Sequence, residues 1–371
     1  MMNDDFPTLD IYFIGSSIGE SIVINLPNGL WGVVDCYSPS LKDPGKNPTL
    51  TFLREHSVND LEFICLTHPH SDHYRGMSHI LREMDSVKWW WQFDGLSGKE
   101  LAMIVHYMRD SRNGSDGDEL EAILTLVENH RKNNGLKKKY ASDIKHLYPH
   151  RSNITANTFP NEVYIDAISP SSDSVADYYK ELANCFNATG QLKKRLPPQR
   201  HNAVSMGLLI RYGNTHVILG GDVEFKNWTD TISALEVGNL AANCVKVSHH
   251  GSETGIVNGL WDEFSSVGKP ISIITPFLRK GLPRLPIIRY IKSNSNQLLT
   301  TCLSAIQFLE SKGFDKQRED GIKIFSGLNK CKCRSLKWKP NPGRGICALR
   351  FDDSGYYNYE INGDAGEIYE L

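Results

Sequence analysis

The sequence predicts an α/β fold organised around one large core. Short, mostly apolar runs such as Trp31 to Asp35, Leu61 to Leu66 and Val87 to Phe93 read as strands. Other stretches repeat apolar residues at helical spacing, first Leu101, Ile104, Val105 and Met108, then Leu120, Ile123, Leu124 and Val127. A chain of 371 residues, 40% hydrophobic and 23% charged, can bury one α/β core with insertions or two modest domains, and the first division is preferred. The expected layout is a catalytic domain over 1–300, with a helical insertion at about 95–160 as a cap beside the cleft. Residues 301–371 then form a sheet extension or a small appended lobe.

The run Leu61 to Leu66 ends at Thr67 and hands over to His68-Pro69-His70-Ser71-Asp72-His73. The chain has 13 His, and an isolated one usually caps a turn or sits satisfied in the core. Three His and one Asp within six residues behind a buried strand are hard to read that way. A strand that stops abruptly can aim His68 and His70 to one side of a cleft and Asp72 and His73 to the other. That layout suits two metal ions sharing a hydroxide and predicts a dinuclear hydrolase.

With this His-x-His-x-Asp-His stretch the chain resembles the metallo-β-lactamase superfamily, which implies a four-layer αββα sandwich. The resemblance implies that an Asp after a later strand bridges the metals, and His216 to Gly221 leads into Asp222. It implies a last His after another strand, for which Cys244 to Ser252 supplies His249 and His250 as alternatives. Asp35, ending the run from Trp31, looks like the family acid packed beneath the metal loop. The stretch Asn202 to Ile210, which includes Ser205, is similar to the soluble domain of ComEC-type DNA-uptake proteins and their stand-alone relatives. The hairpin Arg211 to His216, the Gly-Gly-Asp222 turn and Ser248-His249-His250-Gly251-Ser252 share that likeness, as does the opening segment Leu9 to Ile24. In that branch Asn-x-x-Ser replaces the third His motif of lactam hydrolases.

Two departures stand out. His201 precedes Asn202, so the first metal site has either an imidazole or an amide available there. Where the branch carries His and Pro after its last motif, this chain has Arg279, Lys280 and Arg284 among Pro283 and Pro286. The resemblance therefore implies metal ligation by His68, His70, Asp72, His73, Asp222 and His249 or His250, with His201 as a further candidate. Asp72, Asp222, His249 and His250 are the expected catalytic groups.

The remaining features set bounds. There is no apolar stretch long enough to span a membrane, the start Met1 to Asp5 lacks the pattern of a signal peptide, and the eight Cys are scattered, several within apolar runs. A cytoplasmic protein with no membrane partner is expected. Cys331-Lys332-Cys333 has the wrong spacing and no second pair for a zinc knuckle, so exposed or strand thiols are expected there. Trp89, Trp90 and Trp91 suit core packing better than base stacking. Asn113 to Gly117 reads as a turn between the two insertion helices, and Ser171 to Phe186 as a third helix with its start signal. Basic runs at Lys137 to Lys139 and Lys193 to Arg195, with Arg200, concentrate positive charge in a chain of net charge -2. Toward the end, Ala305 to Leu309 reads as a helix, and 321–325, 345–351 and 356–361 as strands, the last two joined by a hairpin.

The expected activity is phosphodiester hydrolysis, preferably of DNA or another nucleic acid, with two divalent ions, Zn2+ or Mn2+, supplying hydroxide and screening phosphate charge. Arg279, Lys280 and Arg284 are expected to bind phosphate oxygens, and Asn202, Ser205 and Ser252 to orient the scissile group. The alternatives are hydrolysis of a small ester, lactone or lactam, or an effector role in a multi-protein assembly such as a defence system, docked through the helical insertion.

Overall fold

The computed structural model describes residues 7–94, 114–150, 162–189, 191, 193, 198–235, 239–265, 268–311 and 344–369. Sheet A contains β1 (Leu9–Gly15), β2 (Glu20–Asn25), β3 (Trp31–Val34), β4 (Asp60–Leu66), β5 (Ser86–Phe93) and β6 (Lys137–Ala141). Sheet B contains β7 (Lys145–Tyr148), β8 (Val163–Ser169), β9 (Gly207–Tyr212), β10 (Thr215–Leu219), β11 (Cys244–Lys246), β12 (Ile271–Ile274) and β13 (Gln297–Thr300). The last strands are β14 (Gly345–Phe351), β15 (Tyr357–Asn362) and β16 (Gly366–Glu367). The orders are β15-β14-β1-β2-β3-β4-β5-β6 and β16-β13-β12-β11-β10-β9-β8-β7. Both sheets are mixed: β3 to β6 and β10 to β13 run parallel, while the other neighbours are antiparallel.

Alternation along sheet B shows the layering. Leu208, Ile210, Val217, Leu219, Ile271 and Ile273 join the core shared with sheet A. Their neighbours Leu209, Ile218, Val245, Ile274 and Leu298 belong to a second core formed with the outer helices. The helices are α1 (Pro48–Glu55), α2 (Ser71–Tyr74), α3 (Met77–Glu83), α4 (Gly114–Asn133), α5 (Ser172–Ala183), α6 (Phe225–Ala234), α7 (Leu260–Phe264), α8 (Leu285–Asn294) and α9 (Leu303–Ser311). Side chains from α6 to α9, including Trp228, Trp261, Ile288 and Ile306, cover sheet B. Leu50 and Leu53 of α1, Ile80 of α3 and Ile123 of α4 pack with the core of sheet A. The result is the four-layer αββα sandwich that the metallo-β-lactamase resemblance implies. Among the described residues, no helix is long and apolar enough to cross a membrane.

Several segments differ from the sequence reading. Gly114 to Gly117 is the first turn of α4 rather than a break before it. Tyr74 Oη donates to the Asp116 carbonyl, Arg75 pairs with the Asp116 carboxylate, and Glu119 accepts from Gly76 N and Ser78 N. These tertiary bonds outweigh the local turn preference, and they seat α4 along α2 and α3. The predicted helix over Leu101 to Met108 lies outside the described residues. Lys137 to Lys139 open β6: Lys138 pairs with Glu128, and the Lys137 and Lys139 ammoniums lie 5.5 and 5.9 Å from the Trp89 ring centroid. Trp90 and Trp91 are fully buried, and His150 stacks on Trp89 at 3.5 Å. Beyond residue 300, β14 pairs with β1, β15 with β14, and β16 with β13, so the final strands lengthen both sheets. Residues 321–325, Cys331 and Cys333 lie outside the described residues, while the six described cysteines are buried and form no disulfide with one another.

Sheet A packs tightly against the end of β13 where Gly15 and Gly345 pair in register. A Cβ at Gly15 would meet Thr301 Oγ1 at 2.5 Å, and one at Gly345 would meet the Thr301 carbonyl oxygen at 1.8 Å. Backbone cannot yield as a side-chain tip does, so Gly345→Ala is expected to destabilise the fold by about 1–3 kcal/mol. A denaturant midpoint unchanged from wild type would contradict this close approach.

Candidate metal centre

The centre forms where strands from both sheets end. On sheet A, β3 ends before Asp35, whose backbone takes the left-handed conformation at φ 57. Its carboxylate accepts from Thr67 N at 2.8 Å and Thr67 Oγ1 at 2.6 Å, and meets His73 Nδ1 at 2.7 Å. Asp35 thus ties the end of β4 to α2 and fixes the His73 ring, leaving Nε2 directed inward. On sheet B, Gly220 and Gly221 carry the chain from β10 to Asp222. A Cβ at Gly220 would meet Ser248 Oγ at 2.2 Å, and Gly221 has φ 48, so the turn requires both glycines. Ser205 Oγ accepts from Asp222 N at 2.8 Å. After β11, consecutive left-handed residues His249 (φ 48) and His250 (φ 53) give the two adjacent imidazoles different surroundings.

Asp222 stands between two groups of imidazoles. Its Oδ1 lies 3.3 Å from His73 Nε2 and 3.6 Å from His250 Nε2, while Oδ2 lies 3.7 Å from His68 Nε2 and 3.8 Å from His249 Nε2. Asp72 Oδ2 is 3.2 Å from His250 Nε2 and 3.7 Å from His73 Nε2. His68 Nε2 is 3.0 Å from His70 Nδ1. Two sets of donor atoms therefore converge, His68 with His70 and Asp222, and Glu20 with His73, Asp222 and His250, each within 4.8 Å.

The opposite ring nitrogens are committed elsewhere. His250 Nδ1 lies 2.8 Å from the Thr275 carbonyl, and His68 Nδ1 is 3.1 Å from Thr67 Oγ1. His73 Nε2 and Asp222 Oδ1 are buried with no hydrogen-bond partner. An imidazole nitrogen and a carboxylate oxygen left facing each other in a dry interior fit a cation between them.

Electrostatics within the cluster point the same way. Burial, reinforced by His73, holds His68 well below the usual histidine range, which keeps a lone pair available. Burial also opposes charge on His73, but Asp222, Asp35 and Glu20 outweigh it and raise the group. Asp72 and Asp222 are opposed by burial yet held low by the surrounding imidazoles, so both are carboxylates.

The remaining candidates occupy distinct places. His201 is buried, with Nδ1 2.7 Å from Tyr178 Oη and its ring 5.4 Å from that of His70, and burial followed by His70 pushes it down to about 3. Asn202 Nδ2 lies 3.2 Å from His249 Nε2, and its buried Oδ1 has no hydrogen-bond partner. His249 lies at the rim, its side chain 18% exposed, with Nδ1 3.2 Å from Glu224 Oε1 and 2.9 Å from Thr254 Oγ1. Ser205 faces inward beneath Asp222 and His68. Ser252 Oγ accepts from Thr254 N and caps a short 3-10 turn. Arg279 and Lys280 are exposed, and Arg279 and Asp72 both act electrostatically on Tyr37. Arg284 pairs with Glu253 at 3.5 Å. Arg200 is held by Glu181, and Lys194 and Arg195 lie outside the described residues.

Glu20, Thr67, Glu224, Lys246 and Thr275 are site residues that the sequence reading did not single out. Lys246 carries a visible signal, a charge within the apolar run Cys244 to Val247. Beside the rim lies a cavity of about 830 Å3, with Glu224 and Thr254 on one wall and Phe225, Ile256, Ile287 and Tyr290 among its apolar lining.

No family model and no curated protein matches this sequence. Among solved structures, the chain is similar to Zn2+-bound PqqB from Methylobacterium extorquens, at 9% identity and TM-score 0.36 over 75% of this chain and 85% of that one. It is also similar to a diphosphatase of the PhnP family, at 8% identity and TM-score 0.35 over 72% and 86% of the chains. A long-form RNase Z from yeast matches at 11% identity and TM-score 0.39, covering 81% of this chain and 41% of that one. All three have the metallo-β-lactamase fold.

Because nearby carboxylates raise His73, the metal-free protein keeps a proton there above the ordinary histidine range. A cation at Nε2 must displace it, so Zn2+ binding at pH 7 is expected to release about one proton and to weaken as pH falls. Calorimetry in two buffers of different ionisation enthalpy measures this, and zero net release would contradict it.

Proposed function

We propose that the chain is a metal-dependent hydrolase acting on phosphodiesters, with a nucleic acid as its substrate. The observation that carries this reading is the position of Asp222, one oxygen toward His73 and His250 and the other toward His68 and His249. His68, His70 and Asp222 would hold one ion, and Asp72, His73, His250 and Asp222 the other. Two divalent cations, Zn2+ or Mn2+, supply an acidified water and counter-charge for phosphate when bound.

The protein's own groups set the stage for that chemistry. Asp35 and Thr275 hold the His73 and His250 rings, so their ligand nitrogens are oriented before substrate arrives. Asn202 and His249 border the open side and orient the scissile group. Arg279 and Lys280, exposed on the loop after β12, meet phosphate oxygens, whereas Arg284 is committed to Glu253 and shapes that loop. The ComEC-like motifs support a nucleic-acid substrate, and these two cations supply the charge it requires.

A small neutral ester or lactone is the second reading, favoured by the carbon-rich cavity beside Glu224. The two substrates separate readily. Metal-loaded protein is incubated with labelled single- and double-stranded DNA, RNA, a chromogenic phosphodiester and a lactone. Phosphodiester cleavage is expected, and turnover of the lactone alone would reverse the assignment.

Asp72→Ala is expected to abolish cleavage while leaving the circular dichroism spectrum unchanged, and retained cleavage would refute the two-ion centre. Arg279→Ala combined with Lys280→Ala is expected to raise KM about tenfold or more at low salt and to flatten the salt dependence by roughly one to two units of log-log slope. An unchanged salt slope would return both residues to ordinary solvated surface.

A further inference from the structure

Glu20 and Lys246 form a buried ion pair joining the two sheets behind the metal centre. Glu20 is the first residue of β2 in sheet A and Lys246 the last of β11 in sheet B, and both side chains are essentially inaccessible, at 1% and 0%. Glu20 Oε2 pairs with Lys246 Nζ and accepts from Thr275 Oγ1 at 2.8 Å. Lys246 Nζ also donates to the Gly221 carbonyl at 3.0 Å, one residue before Asp222.

Grouping by distance alone places Glu20 among the possible metal ligands. Its orientation argues otherwise. It approaches His73 and His250 from their Nδ1 sides, at 3.8 and 3.7 Å, whereas both Nε2 atoms face Asp72 and Asp222. His73 Nδ1 is already held by Asp35, and His250 Nδ1 by the Thr275 carbonyl. An ion between the Nε2 atoms thus has Glu20 behind the rings.

We propose that Glu20 and Lys246 are positioning residues for the second ion, the one held by Asp72, His73, His250 and Asp222. Glu20 fixes Thr275, which orients His250, while Lys246 fixes the carbonyl that precedes Asp222. Their mutual attraction sets the sheet A ligands in register with the sheet B ligands. This inference rests on the two-ion reading. It extends that reading by assigning the pair chiefly to the second ion, since Glu20 reaches His73, His250 and Thr275 directly, whereas the pair meets the first site only through Asp222, which both ions share.

Removing one partner strands a charge in a dry interior and tests folding as much as positioning. The informative variant is therefore the neutral pair Glu20→Gln with Lys246→Met, compared with Glu20→Asp, which keeps the charge but withdraws the carboxylate by one methylene. Stepwise Zn2+ affinities are measured by competition with a chromophoric chelator, alongside metal content and melting of the metal-free protein. The wild type is expected to bind two ions. In the double variant the second ion should bind about 10–100-fold more weakly, with the first within about threefold of wild type, and Glu20→Asp should fall between the two.

A merely structural pair would lower melting and weaken both ions together, and that outcome overturns the proposal. So does wild-type affinity for the second ion in both variants. If the double variant does not fold, Glu20→Asp decides alone, and second-ion affinity equal to wild type in it overturns the assignment. A wild type that binds no Zn2+ removes the two-ion reading itself, a result distinguishable from failure of the pair.

Discussion

The molecule depends on bringing Asp222 between two pairs of imidazoles, each pair drawing one ring from sheet A and one from sheet B. A carboxylate has two oxygens a fixed distance apart, so both pairs must converge on one side chain, to between 3.3 and 3.8 Å. Parallel strands accomplish this because their carboxyl ends share one edge, where ligand sites gather in open α/β sheets. Asp35, the segment Thr67 to His73, His249, His250 and Thr275 all follow the ends of β3, β4, β11 and β12. Close approach at Gly15 and Gly345, and the glycine turn before Asp222, let the two layers meet at that edge.

Such convergence is costly without counter-charge. Asp35, Asp72, Asp222 and Glu20 are all buried, and Lys246 matches only one of them. In the metal-free protein, a proton on His73 offsets part of the remainder, and the imidazoles keep Asp72 and Asp222 ionised despite burial. A divalent cation bound there would replace that proton with larger charge in the same space, so the same groups would stabilise the folded centre in one state and ligate in the other.

Much of this was legible in the sequence, because ligand types and strand patterns are local properties. The His-x-His-x-Asp-His stretch, Asp222, the paired His249 and His250, and the helix opening at Ser171 are all read from a few adjacent residues. What escaped was set by contacts across the chain. Glu20 lies at the head of an apolar strand and gains meaning only when Lys246, more than two hundred residues later, reaches it. Gly114 to Gly117 looks like a turn until Arg75 and Tyr74 hold Asp116 in a helix. The lysines of β6 look like a concentration of uncommitted positive charge until Trp89 and Glu128 engage them. Both imidazoles of the His249-His250 pair flank Asp222, an arrangement that depends on two successive left-handed residues and that composition does not encode.

The pairing of β14 with β1 also shapes how the chain acquires its structure. The earliest strand finds one neighbour at once in β2, but its other neighbour is among the last to be made, and β16 likewise completes the flank of sheet B. Loop-closure entropy must be overcome before such remote contacts reward it, so assembly is dominated by slow, non-local steps. Until the final hairpin arrives, the open edge of β1 offers unpaired backbone to any passing strand, an interval in which a nascent chain is most exposed to association with its neighbours.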